Sequence, residues 1–420
     1  MNQTIKEMIK TKAQSAGDAM RKLAKTSSEV RNDALLAMAD SINTFRAKIV
    51  EANQVDLEEG RKTGVPGPLM ERLALGDEKL NRMVNNLRAV AELPDPIGKT
   101  THLDVRPNGL TIDTVRVPIG VVGVIYESRP DVTVEVSALC VKSGNGVILR
   151  GGSEAIYSNT MLANILSETA EREGIPGVIQ FVDIIDRQAV YEMIALPELI
   201  DLIVPRGSNE LVQYLMKASD IPVVGHADGV CHVYVDEGAD IDMAEQICLN
   251  AKYGYKVAVC NAMETLLVHE NIADKFLPSM CQKFTASDVE LRGCEKAQQL
   301  CADVLPVTET DWRTEYLDKI LSIRVVAHIG EAIDHVETYG SHHSDAIVTD
   351  DEDAAERFLR EVDSAAVYVN ASTCFTDGYE FGFGAEVGIS TQKLHCRGPM
   401  GLDGLTSYKY VIHGNGQVRE

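Results

Sequence analysis

The chain has 420 residues, 45% of them hydrophobic and 25% charged, with a formal net charge of −23. That is a globular composition with room for two or three domains. So acidic a chain is a poor match for nucleic acid or an anionic membrane, and any anion it binds must be met by locally placed arginines and backbone N–H groups.

Residues 1–93 carry apolar positions at helical spacing, for example Val30, Leu35, Leu36, Met38, Ile42 and Phe45, among charged residues. The opening MNQTIKEMIKTKAQ has no apolar signal-peptide core, and no run approaches a membrane span. Val65-Pro66-Gly67-Pro68 breaks the helical pattern and Leu93–Gly98 ends it. This stretch reads as a helical layer covering a sheet, with no chemistry of its own. Leu110–Val117 alternates apolar and polar residues beyond a turn at Arg106-Pro107-Asn108-Gly109, which predicts a hairpin outside the main core.

Strand–helix alternation follows. Strands are predicted at Val121–Tyr126, Val147–Arg150, Val178–Asp183, Leu199–Val204 and Pro222–Gly225, and helices at Val132–Val141, Glu154–Glu171, Arg187–Ala195 and Glu210–Ala218. This is the pattern of a doubly wound parallel sheet, which binds ligands at the C-terminal ends of its strands. The G-x-G-x-x-G fingerprint is absent, and Gly144-Asn145-Gly146 is a turn into a strand. Pro205-Arg206-Gly207-Ser208-Asn209 lies between a strand and a helix. It reads equally as a phosphate cradle or as a plain turn with a serine cap.

A second series begins at His232, with strands at His232–Val235, Thr265–His269, Ile323–Val326, Ala346–Thr349 and Ala366–Val369. Its helices are Asp242–Lys252, Ile272–Phe284, Glu331–Tyr339 and Glu352–Val362. The tail from Thr373 is rich in glycine and contains an alternating strand, Tyr408–Ile412, that is expected to pair elsewhere, for example in another subunit.

Nine cysteines (Cys140, Cys231, Cys248, Cys260, Cys281, Cys294, Cys301, Cys374, Cys396) form no CxxC pair. That predicts reduced thiols, a cytoplasmic setting and no metal site. Cys260 follows the small apolar run Val257-Ala258-Val259 and precedes a predicted strand. A thiol there reads as a nucleophile facing a cleft or as an inert buried cysteine, and its immediate neighbours favour the second.

Several blocks change that balance: IGVVGVIYESR at Ile119–Arg129, GNGVILRGGSE at Gly144–Glu154, LIVPRG at Leu202–Gly207, IPVVGHADGVCHVYVD at Ile221–Asp236 and VCNAMETLLVH at Val259–His269. With EVDSAAVYVNAST at Glu361–Thr373, GAEVGISTQK at Gly384–Lys393 and RGPMGL at Arg397–Leu402, they resemble the gamma-glutamyl phosphate reductase family of the aldehyde dehydrogenase superfamily over nearly the whole chain. The resemblance implies an α/β, aldehyde dehydrogenase-like fold of two doubly wound domains plus a small β oligomerisation element. Its boundaries would be 1–108 and 126–231 for the cofactor domain, with a returning segment near 371–382, then 232–370 for the catalytic domain and 109–125 and 383–420 for oligomerisation.

The resemblance further implies NADPH-dependent reduction of L-glutamate 5-phosphate to L-glutamate 5-semialdehyde and phosphate, the second step of proline synthesis. It implies a homo-oligomer and coupling to glutamate 5-kinase. Cys260 falls on the family's nucleophile. Arg150 and Ser153 fall near the adenosine ribose, Gly207 and Ser208 on the pyrophosphate turn, and Glu315 on the glutamate that holds the nicotinamide ribose.

Arg129, His226, Asn261 and Asn370 are the implied neighbours of the substrate. Arg129 stands equally as a salt-bridge residue, whereas the residues themselves favour a turn histidine for His226 and a strand end for Asn370. His232 reads as core, and the pair His342-His343 as a surface loop without a metal partner. Two departures stand out. The family's Gln-Arg-Pro-like run before the cysteine is replaced by Val257-Ala258-Val259, with Lys256 keeping a positive charge nearby. Cys374 stands where an arginine is common, with Arg397 as a candidate replacement. A cysteine acyl hydrolase or transferase, and a catalytically weakened paralogue serving as a scaffold subunit, are the competing readings.

Overall fold

A computed structural model describes residues 2–226, 228–254 and 256–419; Ala227 and Tyr255, which fall in two of the stretches singled out above, lie outside the described residues. The chain divides into two compact units, Met1–Gly225 with Gly382–Ile389 and Pro399–Glu420, and His226–Phe381 with Ser390–Gly398.

The first unit opens with helices Asn2–Leu23, Ser28–Thr44, Arg46–Thr63, Gly67–Leu73 and Asp77–Glu92. Ile5, Ile9, Ala13 and Ala16 recur every three or four residues, so they share one helix face. That face is buried with Val121, Ile125 and Ile148 of the sheet. Pro66 breaks the pattern as expected, and the short helix that follows starts at Gly67. The sheet has strands Val121–Tyr126, Gly146–Gly151, Ile179–Phe181 and Leu202–Arg206, all parallel. In spatial order the third of these in sequence lies outermost, then the second, the first and the fourth. The direction of winding therefore reverses between Val121–Tyr126 and Leu202–Arg206, and that is where a crevice opens in such sheets. The predicted strand Pro222–Gly225 shrinks to one bridge, Ile203 to Val223.

Thr100–Val105 and Thr111–Pro118 form the predicted hairpin. Gly109 takes a positive φ of 83° at its turn, where a side chain would be strained. The strand at the C-terminal end runs Thr406–His413 and pairs antiparallel with Thr111–Pro118 of the same chain, Tyr408 opposite Arg116 and Ile412 opposite Ile112. Its partner is thus internal. The outer strands of this three-stranded sheet, Thr100–Val105 and Thr406–His413, keep their far edges unpaired among the described residues.

In the second unit seven parallel strands lie in the order Leu305–Pro306, Glu290–Gly293, Ile320–Val326, Met263–His269, Cys231–Val235, Ser344–Val348, Ala366–Val369. The three strands Met263–His269, Cys231–Val235 and Ser344–Val348 are buried throughout, which explains their near-continuous apolar sequences. Their side chains alternate between faces. Val233, Val235, Leu266, Val268, Ala346 and Val348 pack with Phe276, Met280 and Phe284 of helix Glu270–Ala286. Tyr234, Leu267 and Ile347 pack on the other face with Val336 of helix Ile329–Tyr339 and Phe358 of helix Glu352–Glu361. Each fully buried large side chain contributes about 1.5–3 kcal/mol. The short strands Glu290–Gly293 and Leu305–Pro306 had no alternating pattern long enough to predict.

Candidate active site

In the second unit Cys231 lies opposite Met263, and Asp345 opposite His232. Three neighbouring strands therefore begin side by side. The residues just before them, Gly229, Cys260 and His343, fall on one edge of the sheet. It is the N-terminal edge, opposite to the one where open α/β sheets usually bind ligands.

Cys260 sits in a turn entering strand Met263–His269 and is partly exposed. The run before it is not the buried segment the sequence suggests: Ala258 is exposed, and Val257 and Val259 are half-buried. Two contacts fix the turn. The buried Cys231 thiol donates to the Cys260 carbonyl at 3.2 Å. Gly229 lies against the Cys260 backbone so closely that a Cβ there would stand 2.1 Å from the Cys260 carbonyl oxygen. The ends of the segment are joined by a buried ion pair, Lys252 Nζ to Glu264 Oε2 at 2.6 Å. Burial lowers the Lys252 pKa and raises that of Glu264 to about 7, while their mutual attraction opposes both shifts.

Around the thiol stand two imidazoles. The rings of His226 and His343 meet edge to face, 4.8 Å between centroids. One ligand atom from each of His226, Cys260 and His343 lies within 4.8 Å of the other two. His343 is fully buried, so its assignment to a surface loop is corrected. Only His342 is partly exposed, with a positive φ of 58°. Glu315 also reaches this edge. Burial raises its pKa, against the pull of His226 and of a hydrogen bond from the Gly229 N–H.

Asn261 adjoins Cys260, but its Nδ2 donates to the carbonyls of Cys374 and Thr376 at 3.1 and 3.0 Å. It holds a neighbouring loop. Asn370 closes its strand, accepting from the Thr349 N–H and donating to the Thr349 carbonyl, each at 2.9 Å. The Cys374 thiol faces the Ala251 carbonyl at 3.6 Å. Arg397 is committed to Asp363 at 2.6 Å. His232 is buried, its Nδ1 2.8 Å from Asp345.

In the first unit the crevice at the winding reversal holds the turn Gly207-Ser208. Ser208 caps helix Asn209–Ala218, accepting from the Leu211 N–H. Its own N–H donates to Glu127 Oε2 at 2.7 Å. A Cβ on Gly207 would stand 2.5 Å from that oxygen. A carboxylate of this chain therefore lies at this helix start, where free backbone N–H groups attract negative charge. Arg150 donates from Nη2 to the Ile185 carbonyl at 3.1 Å, and its buried Nε has no partner. Ser153 is exposed and makes no cap; Gly152 holds the cap position. Glu154 turns away to accept from the Ser128 N–H at 2.6 Å and the Ser128 hydroxyl at 2.9 Å. Arg129 is partly buried, its pKa lowered by burial and then by Arg206 and Arg72.

A sequence model described as the Aldehyde dehydrogenase family matches residues 1–302. The chain belongs to that family. A gamma-glutamyl phosphate reductase of Thermodesulfovibrio yellowstonii is 50% identical over 417 residues, covering 99% of this chain and 100% of that protein. The crystal structure of gamma-glutamyl phosphate reductase from Thermotoga maritima superposes with a TM-score of 0.96 at 44% identity, covering 98% of this chain and 100% of that one. An engineered glycolyl-CoA reductase with bound NADP+ shares the fold, with a TM-score of 0.66 at 16% identity and 96% of each chain covered. Aldehyde dehydrogenase family members are oxidoreductases that use a nicotinamide cofactor.

Sequence reasoning missed Gly229, Lys252, Glu264 and Glu127 altogether. Gly229 lies inside the family block Ile221–Asp236, and only close backbone approach explains it. Lys252 and Glu264 carry opposite charges inside otherwise apolar segments, which was a readable sign of a buried pair.

Proposed function

We propose that the protein reduces L-glutamate 5-phosphate to L-glutamate 5-semialdehyde and phosphate with NADPH, through a thioester on Cys260. The carrying observation is a partly exposed thiol, fixed in a turn by Gly229 and Cys231, in a chain 50% identical along its full length to a reductase of that name. The Cys260 thiolate attacks the acyl carbon, a C–S bond forms, and the C–O bond to phosphate breaks. Asn261 Nδ2 is engaged elsewhere, so the backbone N–H of Cys260 is the donor we assign to the developing oxyanion. The bound nicotinamide supplies the hydride that turns the thioester into aldehyde and releases the thiolate. Glu315, held by the Gly229 N–H, is the residue we assign to the nicotinamide ribose.

The residues of the first unit, taken by themselves, suit the pyrophosphate and adenosine ribose of a nicotinamide cofactor. With Glu127 moved aside, the Ser208 N–H would hold the pyrophosphate, and Arg150, with a spare buried Nε, would meet the 2′-phosphate of the adenosine ribose. Coupling to glutamate 5-kinase follows from the substrate's chemistry, because an acyl phosphate hydrolyses readily in water.

The test is NADP-linked oxidation of glutamate 5-semialdehyde with added phosphate. Cys260→Ala should abolish it and leave NADPH binding nearly intact; appreciable turnover in that variant rejects Cys260 as nucleophile. Two imidazoles beside the thiol also suit a cysteine acyl hydrolase. Thioester cleavage without nicotinamide, or phosphate-independent release of glutamate, would favour that reading.

A further inference from the structure

We infer that His226, Cys260 and His343 form a binding site for a thiophilic divalent cation of the zinc class. One nitrogen or sulfur from each lies within 4.8 Å of the others. Zinc in an N2S set needs metal–ligand distances of about 2.0–2.3 Å, hence ligand spacings near 3.5 Å. Side-chain rotations of about 1 Å close that gap.

A second observation points the same way. His343 is fully buried and its Nε2 has no hydrogen-bond partner. Its other nitrogen, Nδ1, lies 2.8 Å from the Ser344 hydroxyl. That hydroxyl is 2.6 Å from Thr376 Oγ1, which is 2.7 Å from the Tyr368 hydroxyl. A chain of hydroxyls thus engages Nδ1, which also lies 3.8 Å from the Cys231 sulfur, and Nε2 is left without a hydrogen-bond partner. Metal-binding histidines are oriented in this way by outer partners. A buried ring nitrogen without a partner is costly in an apo protein, and a cation repays it.

Binding is a proton exchange with no redox step. The Cys260 S–H bond breaks, an S–metal bond forms, and the proton leaves to solvent. Three protein ligands leave a fourth position for water. The partial exposure of Cys260 gives the ion a path in. The consequence rests on the functional reading above: a metal-bound thiolate is not free to attack the acyl phosphate, so micromolar zinc reversibly silences the reductase.

The test titrates untagged, metal-stripped, full-length protein with cobalt(II) alone. The expected result is one equivalent bound with a near-ultraviolet thiolate-to-cobalt band, displaced by zinc. The band should vanish in Cys260→Ser, and His343→Gln should bind at least tenfold more weakly. Absence of the band, or unchanged affinity in His343→Gln, overturns the proposal. Zinc inhibition of the wild type that a chelator reverses, matched by protection of Cys260 from alkylation, supports it. A reductase that depends on Cys260 but gives no cobalt band sinks this inference alone. A cobalt band on a protein without reductase activity upholds the site and sinks the functional reading.

Discussion

Gly229→Ala probes the contact that holds the Cys260 turn, and with it the proposed nucleophile. The added Cβ would lie 2.1 Å from the Cys260 carbonyl oxygen, 2.6 Å from its Cα and 2.7 Å from its carbonyl carbon, whereas real Cβ contacts keep at least 3.0 Å. The obstacle is backbone, with no flexible end to swing aside, so one of the two segments must yield by about 0.9 Å. Overpacking of this kind costs about 1–3 kcal/mol. A misplacement near 1 Å at the reacting atoms costs on the order of 100-fold in turnover. The same shift pulls the Gly229 N–H from the Glu315 carboxylate. The assay is kcat for semialdehyde oxidation, read beside the alkylation rate of Cys260 and the thermal midpoint. The control is Gly76→Ala, where a Cβ meets nothing within 4 Å. Wild-type kcat in a folded Gly229→Ala protein would refute the claim that this contact sets the thiol's position.

The wild type should prefer NADPH to NADH, and Ser153→Glu should push the ratio of kcat/KM values toward NADH; equal ratios in both proteins reject the placement of Ser153 and Arg150 at the ribose. Lys252→Met leaves Glu264 buried without its cation and should cost about 3–5 kcal/mol in urea unfolding, part of it recovered when Glu264→Leu is added. A stable Lys252→Met protein would show that the pair does not hold the Cys260 segment. The unpaired edges of Thr100–Val105 and Thr406–His413 predict a closed homo-oligomer, dimer or larger, in sedimentation at micromolar concentration. A monomer alone would contradict it.

The parallel strands were legible because each is a short apolar run between helical segments, and burial on both faces requires that pattern. Helix starts were legible where a capping side chain stood in sequence, as at Ser208. What could not be read is adjacency across the sheet. His343 and Cys260 are 83 residues apart, and nothing local says that their strands flank Cys231–Val235. Without that neighbour relation a histidine pair before a strand looks like a loop. Asn261 shows the converse. Its place beside Cys260 suggested chemistry, but its amide answers two carbonyls that only the folded loop brings near. The apolar run Val257–Val259 favoured a buried cysteine beside it, yet in the fold these residues lie in bends, half-buried or exposed.

The charge of −23 demanded that any anion be met locally, and the first unit shows how this is done. Around Arg129 the cationic groups include Arg206 and Arg72, close enough that Arg129 feels both, and also Lys79 and Arg82. A cluster of like charges is stable only with anions among it, and Asp131 serves that role in part, while burial and then Asp131 push the Glu135 carboxyl up to about 7. The backbone contributes the rest. The Ser208 N–H at a helix start carries part of the helix dipole, and here it is satisfied by the Glu127 carboxylate. An internal carboxylate keeps the donor from lying unpaired, and a pyrophosphate of higher charge makes a better partner for the same N–H. On the proposed docking of the pyrophosphate at this turn, cofactor affinity is a difference between two anions competing for one donor. It is smaller than the direct contact alone would give, and removing the Glu127 carboxylate raises it.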